Sequence, residues 1–255
     1  MTVDVWEAMG TVVSLRIPDT HEHSRGPAVE GVTRVIDSLE REYSLYMDDS
    51  PISQLARGEV TLESMSADFR DTYSRAIEWR NDTGGAFTPH RGDGVIDLSG
   101  IVKADAIAAG AVVLRAHGIT DFSLNFGGDI IVAGDARTWP IAIGHPTDTL
   151  GIVATVELNS TWCAIATSGT GDRGEHIWRS VTSGPRIVGA TVVSDDIVAS
   201  DVWATAIISG GHDAATSASQ HGHAVLYVDE KLAIHANPLM RDLISEDTVP
   251  LLASV

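Results

Sequence analysis

The chain has 255 residues, of which 44% are hydrophobic, so it is long enough to bury the core of one large domain or two small ones. It carries 35 acidic and 17 basic residues, a formal charge of −18, and most of its surface therefore repels nucleic-acid phosphates and anionic lipids. We expect no nucleic-acid partner, and a phosphate-bearing ligand must be held locally by a metal ion, backbone N–H groups or a particular lysine. The single cysteine, Cys163, excludes an internal disulfide and an all-cysteine zinc site.

The first 20 residues lack the pattern of an export signal. Asp4, Glu7 and Arg16 interrupt this segment, and no basic region is followed by an apolar stretch. Elsewhere, no uninterrupted apolar run approaches the roughly 20 residues that a membrane-spanning helix needs. We therefore expect a cytoplasmic protein without membrane insertion, although processing of an exported precursor would leave the same sequence.

Hydrophobic periodicity in the first half of the chain predicts one strand and three helices. Alternation over residues 10–17 is typical of a strand, which we take as the first. Apolar residues at helical spacing predict three helices, over residues 27–44, 69–80 and 100–118. Gly118 is the expected C-terminal end of the third helix.

The second half predicts strands around one long helix. The predicted segments are two short strands within residues 121–135, further strands within 139–169, a strand over 187–194, a helix over 197–211 and a final β-hairpin over 222–237. The pair Gly210 and Gly211 is the expected end of the helix. Strands and helices are intermixed without strict alternation, which predicts an α+β fold of mixed sheets and packed helices in a single compact domain, residues 1–255.

The helix predicted over residues 197–211 carries an unusual polar line. Asp201, Thr205 and Ser209 are four residues apart, so they lie along one side of the helix, beside its apolar face. Short side chains that carry oxygen suit a small hard cation, whereas a solvent-facing flank usually carries long charged side chains. A narrow polar seam in the core, with Thr205 bonded to a carbonyl one turn earlier, explains the same pattern.

Three other segments contain candidate ligand-binding residues. Lys103 lies in the first turn of a predicted helix, where a cation is disfavoured unless an anion binds beside it; the alternative is a lysine that extends to solvent. The pair Gly127 and Gly128 allows a ligand to approach the backbone closely, or forms an ordinary turn. Residues 166–177 form a loop rich in hydrogen-bond donors that leads to His176, a candidate general base or a surface histidine.

In combination, these segments resemble the ApbE family of FAD:protein FMN transferases. The matching motifs, in chain order, are "MGT" at 9–11, "SLYMDDSPIS" at 44–53, "GAFTP" at 85–89, "DLSGIVK" at 97–103, "GGDI" at 127–130, "TSG" at 167–169, "EHI" at 175–177 and "SDVWATA" at 200–206. The resemblance extends from residue 9 to about residue 211. It implies a T-fold-like α+β architecture and a Mg²⁺-dependent enzyme that transfers the FMN part of FAD to a Thr or Ser hydroxyl of an acceptor flavoprotein, with release of AMP.

The resemblance also implies a role for particular residues. It implies FAD contacts by Met9, Tyr46, Ala86, Phe87, Thr88, Asp97, Lys103, Gly128, Asp129, Thr167, Ser168, His176 and Ile177. It implies Mg²⁺ ligation by the carbonyls of Gly100 and Ala204 and by the side chains of Asp201 and Thr205. His176 is the residue expected to accept the proton of the acceptor hydroxyl, because an imidazole titrates near neutral pH.

The chain departs from the family pattern at three places. Thr88 stands where many relatives have aspartate, and Ala104 and Asp105 follow Lys103 where relatives usually have glycine and an aromatic residue. The sequence "WRSVTSG" at 178–184 lacks the usual Asp-Pro after the "HI" pair. Two other hypotheses therefore remain open, an FAD pyrophosphatase that releases FMN and AMP, and a non-catalytic FAD-binding carrier. The transferase and the hydrolase share all named site residues, whereas the carrier needs neither the base nor the metal ligands.

Overall fold

The structure is a computed structural model that describes residues 1–134, 137–169 and 185–245. The chain divides into two units, Met1–Gly127 and Gly128–Val255, and each of them combines antiparallel strands with helices. A single domain over the whole chain stays a prediction. None of the described helices has both the length and the apolar character needed to cross a bilayer.

The first unit contains a three-stranded antiparallel arrangement and four helices. Its strands are β1 (Thr2–Ala8), β2 (Thr11–Ile17) and β3 (Phe122–Phe126). Its helices are α1 (Glu22–Tyr43), α2 (Pro51–Ala56), α3 (Ala67–Asp82) and α4 (Ser99–Ala116). Strand β2 pairs with β1 on one side and β3 on the other, and α1 packs against α4. Val32, Ile36, Ile107 and Leu114 are fully buried, so the apolar faces of these two helices form the core of the unit.

The described residues of the second unit form seven strands and two helices. Its strands are β4 (Asp129–Ala133), β5 (Trp139–His145), β6 (Asp148–Leu158), β7 (Ala164–Gly169), β8 (Ile187–Ser194), β9 (Ala224–Asp229) and β10 (Ile234–Ala236). Its helices are α5 (Ile197–Gln220) and α6 (Pro238–Leu243). Strands β4, β7, β8, β9 and β10 are neighbours in that order with antiparallel pairing, and β5 pairs with β6 in a separate hairpin. Helix α5 packs on β7 and β8.

Most predicted elements are present, but several bounds were wrong. Strand β2 is not the first strand, because β1 precedes it. The side chains of β1 are alternately half-buried and exposed, so β1 has no buried face that its sequence would reveal. Helix α1 begins at Glu22, with Pro27 inside it, and the short α2 was missed because six residues give little periodicity. The final hairpin is followed by α6 instead of ending the chain.

The glycine pair ends the first helical segment of α5, as predicted, and a second segment that was not predicted follows it directly. Gly211 has φ 66° and ψ −146°, and the helix continues to Gln220. Glycine adopts a positive φ without the steric cost that other residues have. Ala214, Ala215 and Ala218 follow the bend and are buried, so favourable helix formers with a buried face restart the helix.

Two turns in the first unit require positive φ angles. Met9 and Gly10 have φ angles of 49° and 68°, which is typical of the two-residue hairpin turn that joins β1 to β2. Gly127 has φ 58°, and its N–H donates a 3.0 Å hydrogen bond to the Val12 carbonyl. A Cβ at Gly127 would lie 2.1 Å from Thr11 Oγ1, so both backbone conformation and space require glycine there.

We predict that Gly127→Ala destabilises the protein more than Gly58→Ala does. Both glycines have positive φ angles, 58° and 70°, and an alanine there costs about 1–2 kcal/mol, but only Gly127 has a neighbour within 4 Å of the added methyl group. Urea denaturation gives the two free energies of unfolding. Thr11→Ala in the Gly127→Ala background removes the clashing hydroxyl and should recover part of the loss. Equal destabilisation by both single substitutions would contradict the close contact.

Candidate functional site

The N-terminal half of α5 carries the predicted polar line into the interior of the second unit. The helix begins after Asp196, whose Oδ1 accepts a 2.8 Å hydrogen bond from the Val198 N–H. Trp203 is fully buried, and Asp201 and Ser209 are only 4% and 3% exposed. This flank of the helix is therefore not the solvent-facing side of an ordinary surface helix.

Thr205 connects this helix to β7. Its Oγ1 shares a 3.2 Å hydrogen bond with Ser168 Oγ. The hydroxyl thus bonds to a neighbouring strand. Each hydroxyl oxygen can accept further interactions, and the Asp201 carboxylate lies one turn away on the same side of α5. Hard oxygen donors are concentrated here.

A second polar group lies on β4, β7 and β8. Asp129 is 1% exposed, and its Oδ1 accepts a 3.1 Å hydrogen bond from the Thr167 N–H. Thr167 Oγ1 shares a 2.9 Å hydrogen bond with Thr191 Oγ1, directly opposite on β8. Consecutive side chains on a strand point to opposite faces of the sheet. Thr167 therefore shares one face with Thr191 of β8, and Ser168 lies on the other face, where it bonds to α5.

Sequence reasoning missed Thr191. It is the one polar residue in the apolar run from Ala190 to Val193 and is 1% exposed, so its hydroxyl needs a partner inside the protein. A lone threonine in a buried strand is a weak signal by itself. Only the pairing of β7 with β8 identifies Thr167 as its partner.

The predicted metal ligands fall in both units. Asp201, Ala204 and Thr205 are on α5, and Gly100 is the second residue of α4. Mg²⁺ prefers carboxylate, hydroxyl and carbonyl oxygens, and these residues offer all three. Within the described ranges there is no group of three or more His, Cys, Asp or Glu side chains arranged to hold a metal ion. The chemical fit therefore depends on hydroxyl and carbonyl oxygens around one carboxylate.

The loop after α3 positions Phe87 against Gly100. Thr83 Oγ1 accepts a 3.1 Å hydrogen bond from the Phe87 N–H, which holds the loop to the end of the helix. The Phe87 ring is 4% exposed, and a Cβ at Gly100 would lie 2.9 Å from its Cε2. The start of α4 thus packs directly on the segment that contains Ala86 and Phe87. Two predicted contributors, one for flavin and one for metal, are neighbours here.

Further predicted residues of the first unit surround the start of α4. Asp97 Oδ1 accepts a 3.0 Å hydrogen bond from the Ser99 N–H, so its carboxylate organises the first turn of the helix. Thr88 Oγ1 accepts a 3.2 Å hydrogen bond from the His90 N–H. Lys103 is the fifth residue of α4, so it lies just beyond the first turn in which it was predicted, and it is partly buried.

The remaining predicted residues lie elsewhere. Met9 is in the turn between β1 and β2, and Tyr46 is fully exposed between α1 and α2, accessible to a ligand. Gly128 has φ 106° and immediately precedes β4. The predicted base His176 and its neighbour Ile177 lie outside the described residues.

Comparisons with known proteins agree with the resemblance predicted from the sequence. The ApbE family model matches residues 9–95 and 90–227. A FAD:protein FMN transferase of Rhodobacter capsulatus is 36% identical over 160 residues, which is 57% of this chain and 30% of that protein. The aligned region thus spans less than a third of the length of that relative.

Solved structures confirm the α+β fold. The flavin transferase ApbE from Vibrio cholerae is 21% identical, with a TM-score of 0.75, and covers 95% of this chain and 98% of its own. The ApbE protein from Thermotoga maritima is 15% identical, with a TM-score of 0.77, and covers 96% of this chain and 99% of its own. Both Asp129 and the polar half of α5 lie inside the segment matched by the family model.

Proposed function

Because the chain belongs to the ApbE family, we propose that it transfers the FMN part of FAD to a Thr or Ser hydroxyl of an acceptor flavoprotein and releases AMP. The observation that carries this proposal is the inward-facing oxygen set of α5 and β7. Asp201 is buried on α5, and one turn later Thr205 bonds to Ser168 across the unit. A carboxylate and two hydroxyls offer the hard oxygen atoms that Mg²⁺ prefers as ligands.

The proposed reaction is a phosphoryl transfer. The acceptor hydroxyl oxygen attacks the phosphorus atom that carries riboflavin, a new phosphoester bond forms, the phosphoanhydride bond breaks, and AMP leaves with the bond electrons. His176 takes the proton from the attacking hydroxyl, which typically accelerates such a reaction about 10²- to 10⁴-fold. The protein contributes mainly by positioning the reactants and stabilising charge.

The charge balance of the protein explains why a metal site is needed. FAD carries a pyrophosphate, and a protein with a formal charge of −18 attracts this anion only where positive charge is concentrated. Asp201, Thr205 and the carbonyls of Gly100 and Ala204 would hold Mg²⁺, which when bound neutralises charge on the phosphate oxygens. Lys103, near the start of α4, supplies a second cation for the same anion.

An FAD pyrophosphatase is the second candidate. The segment next to the proposed base departs from the family pattern, because it lacks Asp-Pro after His176-Ile177 and has Trp178 and Arg179 instead. If this segment no longer docks an acceptor, water is left as the nucleophile. Incubation with FAD and Mg²⁺, with and without a candidate acceptor, distinguishes the candidates. Transfer adds the FMN mass to the acceptor and releases AMP, hydrolysis yields free FMN and AMP without an acceptor, and a carrier returns intact FAD.

We predict that Asp201→Asn abolishes Mg²⁺-dependent turnover of FAD but leaves the protein folded. The amide keeps the shape of the side chain and removes the charge that a hard cation requires. Asp213→Asn is the matched control, because Asp213 is exposed on the same helix beyond the bend, and it should leave turnover unchanged. AMP release measured by chromatography, with circular dichroism as the folding check, gives both results. Normal turnover in Asp201→Asn would refute the proposed metal ligand.

Lys103→Met should weaken the binding of FAD more than that of riboflavin, which lacks phosphate. A hydrogen bond to a charged group typically contributes about 1.5–3 kcal/mol, which corresponds to at least a tenfold change in the dissociation constant of FAD. Flavin fluorescence titration measures both constants. Equal losses for both ligands would remove the phosphate-binding role of Lys103.

His176→Ala should separate chemistry from binding. The FAD dissociation constant should stay nearly unchanged, while the transfer rate falls by roughly two to four orders of magnitude, because a general base acts on the acceptor proton in the transition state. Single-turnover kinetics and equilibrium titration measure the two quantities. A variant that transfers normally, or that loses affinity and rate in proportion, would contradict the assignment.

A further inference from the structure

A cavity lies in the C-terminal part of the second unit, between α5, β9, β10 and α6. Its volume is about 220 Å³, and its walls include His212, Thr216, Tyr227, His235 and Arg241. The bend at Gly211 separates the part of α5 that lines this cavity from the part that carries the proposed metal ligands. The volume is below the roughly 300–1,000 Å³ of sites for drug-sized ligands, so it suits a ligand with a single ring and not a dinucleotide.

One wall of the cavity is a pair of stacked rings. The Tyr227 and His235 rings lie 4.6 Å apart, with 13° between their planes, and His212 Nδ1 lies 3.1 Å from the Tyr227 hydroxyl oxygen. His235 Nε2 is 3.2 Å from Asp229 Oδ2, and Asp229 Oδ1 accepts hydrogen bonds from the N–H groups of Lys231 and Ala233. The rings are therefore held in place before any ligand binds.

The opposite wall is a face of α5 with short side chains. Ala215, Thr216 and Ser219 follow His212 at intervals of three, four and seven residues, so all four share one side of the helix. Because three of these side chains are short, space remains between the helix and the rings. A flat ligand matches the gap between a ring pair and such a helix face.

Two polar side chains at or beside the cavity are already engaged within the protein. Asn237 is fully engaged, because its Nδ2 donates to Ser219 Oγ and the His223 carbonyl while its Oδ1 accepts from the N–H groups of Val225 and Met240. Burial would raise the pKa of Asp229, but hydrogen bonds from Ala233, His235 and Lys231 lower it overall, so its negative charge is already compensated.

Two polar groups remain for a ligand. Arg241 lines the cavity. It forms no ion pair with the residues that the structure describes, although the protein has 35 acidic and only 17 basic residues. His235 Nδ1 is buried and makes no hydrogen bond in the same part of the chain. A guanidinium binds a carboxylate through two parallel hydrogen bonds.

We propose that this cavity binds a small aromatic carboxylate, with its ring against Tyr227 and His235 and its carboxylate on Arg241. Benzoate is the simplest probe of this chemistry. Benzamide has the same ring without the charge, and acetate has the charge without the ring. Wild-type protein should bind benzoate at least tenfold more tightly than either, because only benzoate uses both the ring wall and the guanidinium.

Isothermal titration of three variants tests the assignment. Arg241→Gln should weaken benzoate binding at least tenfold and leave benzamide binding unchanged, whereas Arg34→Gln, an exposed arginine on α1, should change neither. Thr216→Phe places a bulky side chain in the gap from an exposed helix position and should remove the binding of both probes, with FAD binding unaffected. Saturable benzoate binding with these effects supports the proposal. No saturable binding by the wild type, or equal benzoate affinity in the wild type and Arg241→Gln, would overturn it.

Discussion

The packing of α5 on β7 and β8 is the constraint on which the second unit depends. Trp203, Val202 and Ile207 are fully buried in this contact, and removing so much apolar surface from water is a large stabilising contribution. The rotation of the helix that buries these residues also carries Asp201 inward and brings Thr205 within hydrogen-bonding distance of Ser168. The apolar core thus fixes the positions of the oxygen atoms.

The same helix serves two parts of the unit because it bends. A straight helix of 24 residues would continue in one direction, whereas the positive φ of Gly211 redirects its last nine residues toward β9, β10 and α6. The first half presents hard oxygen atoms, which suit a metal cation. The second half presents short side chains opposite aromatic rings, which suit a planar organic ligand. The two faces differ in chemistry although they belong to one helix.

Local patterns in the sequence predicted the features that depend on local geometry. Helical spacing located α5 and placed Asp201 and Thr205 on one side, and both the helix and the inward orientation of Asp201 are observed. Features that depend on tertiary pairing were not predictable in this way. Thr191 becomes a partner of Thr167 only through the register of β7 with β8, and the helical segment after Gly211 was missed because its alanine face becomes apparent only when it is buried.

Strand β1 illustrates the same limit in the first unit. Its residues pair with β2 in full register from Thr2 to Ala8, yet none of them is buried, so hydrophobic alternation gave no signal. By contrast, the need for glycine at residue 127 follows from a contact with Thr11, more than 100 residues earlier in the chain. Motif order identified the family from short segments, and the family model matches residues 9–95 and 90–227.

The central claim is that the oxygen atoms of α5 and β7 hold a ligand and do not merely fill the core. Thr205→Val keeps the shape of the side chain and removes only its hydroxyl, so the direct measurement is its free energy of unfolding with and without Mg²⁺ and FAD. Ligand at about 100 times its dissociation constant stabilises a folded protein by about 2.7 kcal/mol. We expect this stabilisation in the wild type and a clearly smaller one in Thr205→Val, whose ligand-free form should lose only about 0.5–1.5 kcal/mol, the contribution of the hydrogen bond to Ser168. Equal stabilisation of both proteins by Mg²⁺ and FAD would contradict the account.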